Sequence, residues 1–528
     1  MSRREIWLVF LLLGMASAAV AFHFLHDARP NAESDVHARP GPSAEFSKEY
    51  AQIQTAEAIT DKLQRCLAYP NPPEFHWNPK VVEAFCRLSL RSMISWDELS
   101  DALANNHPEI LDQAFSAYLE KTYQENQHGF LIWTYWWMFS GPSTKVEDVT
   151  KRWVTIDPNS PFARAARGEY LLAAAWQARG EKFARDTSED NFARAHALAA
   201  EAKQEFDEAI DRSPRMIEAY YGNMRIARLT SDHALFDESV QKAIALDPAD
   251  KWIYDEWMSA SEPKWGGSIP QMIELSLRAA QHAKENPMLE LLGASPYCTA
   301  AEQSACPECK DGKRSYRTAL DWYRKALLAG PAPCALNRAG DFADWIGGDE
   351  ESVIRYDMQA YRFTGDTEKL LRSSQALQRL GKTDWALQSV DKLLKQWPKY
   401  VKAMLYRGWI LESAHRATEA EHVFRGVLQI DPQNREANTE LVGLYTGVLH
   451  QRASAEDIVE HLMKANPNNP RIWLLEAALD KDGSVKQCKY DLEQYLSLVD
   501  TTTADDYEQR DIGRAKARLA ELKRVRIN

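Results

Sequence analysis

Residues Ala420 to Asn434 read AEHVFRGVLQIDPQN. Val423, Phe424, Val427 and Leu428 fall at the three- and four-residue spacing of one helix face. Asp431-Pro432 then ends the helix, because proline lacks the N–H that the next turn would need. The same ending recurs along the chain. Pro214 and Pro248 lie 34 residues apart, Pro398 and Pro432 lie 34 apart, and Pro467 follows Pro432 by 35. A fixed period near 34 is the sign of stacked helical hairpins.

The interior of each unit recurs as well. Ala420, Phe424 and Val427 precede Pro432, and Gly408 stands 12 residues before Ala420. Ala386, Val390 and Leu393 precede Pro398, with Gly381 at the turn between helices. Ala319, Tyr323 and Ala326 precede Pro331; Ala202, Phe206 and Ala209 precede Pro214; Ala455, Val459 and Leu462 precede Pro467. The small alanine lets two antiparallel helices approach, and the large residue four later fills the space against the next hairpin. Gly408 and Gly443 hold the small position of their first helices, Ser374 nearly so, and Met224 stands there in the unit that ends at Pro248. With Gly168 in that place, the unit ending at Pro214 is stretched. Gly168 and Ala202 are 34 residues apart, an excursion that includes ARGEKFARDTSEDNFARAHA, Ala178 to Ala197.

This Ala–large–apolar–Pro skeleton resembles the tetratricopeptide repeat family, best between Ala202 and Pro248 and between Cys334 and Pro470. The resemblance implies an all-α, right-handed superhelical solenoid of antiparallel helix pairs, with a groove lined by the first helices. The family's groove positions fall on Tyr221, Arg225 and Arg228, on Lys402, Leu405 and Trp409, and on Arg338, Phe342 and Trp345. Arginine beside aromatic anchors is the chemistry of peptide capture. As groove residues, Arg225 and Arg338 should tolerate charge reversal without loss of stability. The alternative is that Trp345 and Trp409 belong to the core.

The N-terminus carries a targeting signal. Arg3 and Arg4 precede Ile6–Phe22, which is 17 residues without a charge, the short end of the roughly 17–25 residues that span a bilayer. Residues 1–26 read as an uncleaved signal anchor or a signal peptide; a buried N-terminal helix is the other possibility. Either targeting reading keeps the arginines cytoplasmic and exports the body. Residues 27–46 are rich in Pro, Ala and Ser and read as a flexible tether. The expected location is the inner membrane, single-pass with a periplasmic body, or the soluble periplasm after cleavage.

Residues 47–160 read as an N-terminal helical domain. In RCLAYPNPPEFHWNPKVVEAFC, Arg65 to Cys86, the prolines force an extended turn and Asn78-Pro79 starts a helix. A Cys66–Cys86 disulfide would pin a helix Thr55–Ala68 to a helix Val81–Leu90; free buried thiols are the other reading. GFLIWTYWWMFSG, Gly129 to Gly141, is too short to span a bilayer and reads as a buried repeat helix, or else a membrane-surface contact. Residues 161–297 read as repeat-like with insertions. Within them SEPKWGGS, Ser261 to Ser268, is a turn with no Lys-Ser/Thr to make it a phosphate loop. With RCLAYPNPP and the repeats, it resembles an uncharacterised domain that accompanies tetratricopeptide repeats in bacterial envelope proteins. That resemblance implies no activity.

Residues 298–333 form a cysteine-containing loop and helix, residues 334–470 the tetratricopeptide-like repeats, and residues 471–528 capping helices. CTAAEQSACPECK, Cys298 to Lys310, offers the best place for chemistry. Cys298, Cys306, Cys309 and Cys334 could form disulfides in an oxidising compartment, or complete a four-ligand zinc site. A redox dithiol would sit at a helix start after a strand, and no strand pattern precedes it. Cys488 stands alone. There is no HExxH, GxSxG or GxxxxGK[ST] motif. The net charge of -12 argues against a general nucleic-acid binder.

The leading functional reading is a non-catalytic protein-binding scaffold in the bacterial envelope, with a protein or peptide partner and no cofactor or metal. Two alternatives stand beside it. One is an immunity or inhibitor protein against an exported toxin. The other is a metal- or thiol-dependent enzyme that uses the Cys298–Cys334 cluster.

Overall fold

A computed structural model of the chain describes residues 41–88, 90–124, 127–180, 184–305, 312–479, 485–500 and 506–524. The expected anchor at 1–26, most of the expected tether, and Cys306 and Cys309 lie outside the described residues. Every regular element among the described residues is a helix. In chain order these are α1 (Ala44–Glu57), α2 (Lys62–Ala68), α3 (Pro79–Leu88), α4 (Trp96–Ala104), α5 (Pro108–Gln124), α6 (Phe130–Phe139), α7 (Thr144–Ile156), α8 (Pro161–Arg179), α9 (Glu189–Arg212), α10 (Ile217–Thr230), α11 (His233–Leu246), α12 (Lys251–Ala260), α13 (Ile269–Ala280), α14 (Ser295–Ser304), α15 (Gly312–Leu327) and α16 (Pro333–Ile346). There follow α17 (Glu350–Thr364), α18 (Thr367–Arg379), α19 (Thr383–Gln396), α20 (Val401–Ser413), α21 (Ala417–Ile430), α22 (Arg435–Gly447), α23 (Arg452–Ala465), α24 (Pro470–Leu479), α25 (Val485–Leu498) and α26 (Asp506–Arg524). None is long and apolar enough to cross a membrane.

The chain divides into two compact units. The first comprises Lys48–Gly348 with Arg362–Thr364; the second comprises Asp349–Tyr361 and Gly365–Asn528, with the described part of Ala19–Ser47. In the first unit α8 pairs with α9, α10 with α11 and α14 with α15; in the second, α18 pairs with α19, α20 with α21, α22 with α23 and α24 with α25. Many helix starts are capped. Ser95 and Glu98 form a capping box on α4, and Ser160 caps α8, whose first residue is Pro161.

The repeat alanines and large residues do what their spacing predicts. Ala202, Phe206, Ala386, Val390, Ala420 and Phe424 are all fully buried. The approach of neighbouring helices is set by glycine. A methyl group placed on Gly168 of α8 or on Gly222 of α10 would overlap the Phe206 ring, and one on Gly408 of α20 would overlap Phe424. Gly443, expected to act likewise, faces no atom within 4 Å, so the unit that ends at Pro467 lacks this lock. Gly381 makes its predicted turn with φ +73°.

Several boundaries differ from the sequence reading. The tether ends earlier than residue 46, because Ser43 donates from its N and Oγ to the Glu351 carboxylate at 2.6 and 3.0 Å and Phe46 is buried. The expected helix Thr55–Ala68 is two helices, interrupted at residues 58–61, where Asp61 caps α2. The excursion before Ala202 is largely not a loop. It lengthens α8 to 19 residues and α9 to 24 residues. GFLIWTYWWMFSG forms the buried helix α6, as expected.

Two disulfides close loops within the first unit. Cys66–Cys86 joins α2 to α3 with a Cα separation of 5.8 Å, and Cys298–Cys334 joins α14 to α16 at 6.2 Å. Arg362 supports the first of them. Its Nε donates to Cys66 O at 2.7 Å and its Nη1 to Asn71 Oδ1 at 2.9 Å. Cys488 is a buried thiol, its sulfur 3.6 Å from Ala477 O.

Phe424→Ala should destabilise the second unit by about 3–5 kcal/mol, since it empties a fully buried aromatic site. Gly443→Ala should cost about 1 kcal/mol or less, while Gly408→Ala should cost about 1–3 kcal/mol through overpacking; urea denaturation followed by circular dichroism separates the three. Reduction with dithiothreitol should cost the first unit roughly 3–4 kcal/mol for each bridge, from the loop each one closes. A denaturation midpoint indifferent to reductant would contradict that.

Candidate functional site: the first-helix faces

Nine residues were expected to line a groove on the first helices. The structure puts Tyr221, Phe342 and Leu405 in the core, at 4 %, 1 % and 7 % exposure. These three offer nothing to a partner, which corrects the expectation for them. Their apolar bodies pack as the surrounding repeat positions do. Four of the others reach across to the neighbouring first helix.

In the first unit, Arg225 Nη1 on α10 lies 2.7 Å from both carboxylate oxygens of Glu169 on α8. Glu169 is wholly buried and the Arg225 side chain is 11 % exposed. Burial disfavours the Arg225 charge, but Glu169 outweighs it and holds the guanidinium protonated. One turn further along α10, Arg228 grips Glu256 of α12 with two bonds, Nε to Oε1 at 2.6 Å and Nη2 to Oε2 at 3.1 Å. Such a bidentate fork is the strong form of an arginine–carboxylate pair. In the second unit, Lys402 of α20 pairs with Glu368 of α18, and Trp409 Nε1 donates to Glu440 Oε1 of α22 at 3.1 Å. Each of these four residues therefore bridges two successive first helices. The expectation that Arg225 is a freely replaceable groove residue is overturned by its buried ion pair.

Arg338 and Trp345 sit differently. Arg338 lies over the rings of Phe342 and Trp345, with centroid distances of 5.3 and 5.6 Å, and pairs with Asp341 at 3.4 Å on its own helix. Tyr316 of α15 packs edge-on against Phe342 and tilted against Trp345. Trp345 and Trp409 are both partly buried and packed, so neither is a free platform.

A second cluster was not legible as a site. Trp176 and Arg179 at the end of α8, Phe192 at the start of α9, Arg228 on α10 and Trp265 in the SEPKWGGS turn come together. Arg228 lies 4.9 Å from the Trp176 ring centroid and 5.1 Å from that of Trp265. Arg179 lies 5.8, 5.7 and 5.9 Å from Trp176, Trp265 and Phe192. The two indoles meet edge to face, with centroids 6.0 Å apart. All five side chains are partly exposed. The indole N–H of Trp265 is buried with no acceptor among the described residues. The cluster unites the two places where the repeat period breaks, the lengthened α8–α9 pair and the turn after α12. Periodicity could not reveal it. The composition of the two irregular segments, each with Trp, Phe or Arg among small polar residues, was the only signal.

Cys298 and Cys334 are bonded to each other, so neither presents a thiolate to a metal or a substrate. Among the described residues no three His, Cys, Asp or Glu side chains form a group suited to a metal ion.

Residues 411–479 match the family described as Tetratricopeptide repeat. No curated protein matches the chain. Similar solved structures include a tetratricopeptide repeat protein from Parabacteroides merdae (14% identity, 58% of this chain and 98% of that chain, TM-score 0.32). They also include yeast Tom70 (11% identity, 82% of this chain and 96% of that chain, TM-score 0.33) and the TPR domain of P58(IPK) (15% identity, 63% and 96%, TM-score 0.21).

Arg225→Met should destabilise the first unit by about 3–5 kcal/mol, because it strands the Glu169 charge in the core. Arg338→Met, whose carboxylate partner lies on the same helix at partial exposure, should cost within about 1 kcal/mol. Equal denaturation curves for the two variants would show that the Arg225 bridge is energetically idle.

Proposed function

We propose that the chain is a non-catalytic protein-binding scaffold of the bacterial cell envelope, which captures a peptide or protein segment against the first-helix side of its repeats. The observation that carries this reading is the Trp176–Arg179–Phe192–Arg228–Trp265 cluster. Tryptophan and arginine are the residue types that dominate binding energy at protein interfaces, and here they are partly exposed side by side. The repeat match at residues 411–479 supports a scaffold made of stacked hairpins. A partner would contact the exposed parts of these five side chains.

The envelope assignment rests on the charge-free run Ile6–Phe22 behind Arg3 and Arg4, and on two disulfides, which persist in oxidising compartments. The proposed arrangement is a single-pass inner-membrane protein with a periplasmic body.

Affinity purification of tagged protein from envelope extracts, followed by mass spectrometry, tests the binding face. Trp265→Ala and Arg179→Glu should each reduce recovery of the specific partner by at least about tenfold, the size expected of interface hot spots, while thermal melting stays near that of the wild type. Undiminished recovery with both variants folded would remove the cluster from the interface. Alkaline phosphatase fused after Ser43 should be active, and the protein should fractionate with membranes; an inactive fusion with a soluble cytosolic product would overturn the location.

A further inference from the structure

Beside the Arg225–Glu169 bridge, the first unit buries a set of acids that this bridge does not use. Glu218, in the first turn of α10, is 0 % exposed, and neither of its carboxyl oxygens meets a hydrogen-bond partner among the described residues. Asp250, also 0 % exposed, caps α12: Oδ1 accepts the Trp252 N–H at 2.9 Å, while Oδ2 is buried without a partner. Asp247 places both oxygens 2.9 Å from His128 Nδ1 and accepts the Ala249 N–H at 3.0 Å. His128 Nε2 is buried without a partner, and so is Arg91 Nη1, although Arg91 Nη2 donates to His128 O at 3.1 Å.

We propose that Glu218, Asp250 and the His128–Asp247 pair form a proton-operated latch in the first unit. It joins α10, the turn before α12 and the segment before α6, closed while these groups hold protons and loosened as pH rises.

A buried carboxyl with no donor keeps its proton, because ionisation would place an unsolvated charge in the core. The neighbours of Glu218 reinforce this. Glu169 on α8 and Asp250 both oppose a further negative charge; Arg225 favours one but is already bonded to Glu169. Tyr135 on α6 and Tyr221 on α10 face the same region, and burial holds both phenols neutral. Around Asp250, Asp247 and Glu218 oppose ionisation, while His128 and Arg91 favour it; Tyr123 on α5 stays neutral. Glu285 adds a more distant negative charge to the His128 side.

The resulting shifts share one sign. Burial lifts Glu218 well above the carboxyl range, and burial with Asp247 lifts Asp250 to about 7. Burial pulls His128 down, but its hydrogen bond and charge pairing with Asp247 raise it overall. Burial lowers Arg91 to about 10, which leaves it charged at neutral pH. Glu218, Asp250 and His128 each bind a proton more tightly in the folded chain than in the unfolded one, so folding takes up protons. For the two carboxyls, stability falls as pH rises above their ordinary values and through their folded ones. For His128, stability is lost as pH rises through its folded value. The exposed carboxylates Glu98, Glu109, Glu419 and Glu460 shift downward. Their contribution is lost only below the ordinary carboxyl range, so they do not oppose the latch between about pH 5.5 and pH 8.5. Helices α10 and α12 carry Arg225, Arg228 and Glu256, so the bridges of this face stand on a pH-sensitive support.

The test is hydrogen–deuterium exchange of the full chain at about pH 5.5, 7 and 8.5, corrected for intrinsic rates and read on peptides from residues 127–139 and 213–260. Wild-type opening should become up to about tenfold easier per pH unit for each linked group. Asp250→Asn and Glu218→Gln should each flatten that dependence, and together nearly abolish the carboxyl part. A flat or reversed wild-type dependence overturns the latch, and so does a dependence that is undiminished in the double variant. Should the double variant not fold, infrared spectroscopy of the wild type at neutral pH decides. A protonated-carboxyl band supports the latch, and its absence overturns it.

Discussion

The Phe206 ring meets a glycine on two successive first helices, Gly168 on α8 and Gly222 on α10, and at both places a single methyl group would overlap it. Much else in the first unit depends on this contact. A ring held at that distance draws the two first helices to a spacing at which side chains of ordinary length can span them. Protein interiors pack near crystalline density, so one added carbon atom is enough to push such helices apart. Phe424 and Gly408 repeat the arrangement in the second unit, within one hairpin. Both rings occupy the same place in their repeats, eight residues before the terminating proline.

Once the first helices are that close, the polar positions on their facing sides cannot stay in water. Arg225 and Arg228 are drawn toward α8 and α12, and each must find a carboxylate or bear the cost of burial. Glu169 and Glu256 supply them. In the second unit Lys402 and Trp409 also pair across successive first helices, with Glu368 and Glu440, and there the Lys402–Glu368 pair stays partly exposed. Polar bridges of this kind add little net stability compared with an apolar substitute, but they penalise the loss of one partner heavily. They also fix which helix face meets which, a role that an apolar pair would fill less specifically. The residue types that suggest ligand capture are here first of all the fasteners of the array.

This explains what the sequence made legible and what it hid. The hairpins, the buried Ala420 and Phe424, the turn at Gly381 and the Cys66–Cys86 bridge all follow from local spacing, and one chain segment contains the whole signal. The partner of Arg225 is 56 residues away, and that of Arg228 is 28 away. Neither separation equals the period of 34; for Arg225 the lengthened α8–α9 pair lies between the partners and shifts the count. A reading by repeat position therefore put these arginines on the correct helix and assigned their charge to the wrong recipient. Gly443 failed for the opposite reason. Its position in the repeat was right, but Val459, the large residue of the following helix, does not reach it. A small residue is permitted wherever space is open and required only where a ring fills it.

In a strictly periodic array each hairpin must spend the same positions on its neighbours, and those positions are then unavailable to anything else. Distinct chemistry has to arise where the period breaks. The α8–α9 pair breaks it by added helix length, which brings Arg179 at the end of one helix near Phe192 at the start of the next. The segment after α12 breaks it with a turn in which Gly266 takes φ +90° and Gly267 lies against Ser261 O so closely that no side chain fits. That turn sets Trp265 against Trp176, edge to face. Arg228 belongs to both systems at once: one edge of its guanidinium is bonded to Glu256, while its guanidinium carbon lies 4.9 and 5.1 Å from the centroids of the two indoles. A planar cation can do this because its hydrogen bonds leave in the plane and its faces remain able to meet aromatic rings. A lysine at 228 would keep the charge but hold only one of these sets of contacts. The arginine thereby couples the regular part of the array to the irregular part.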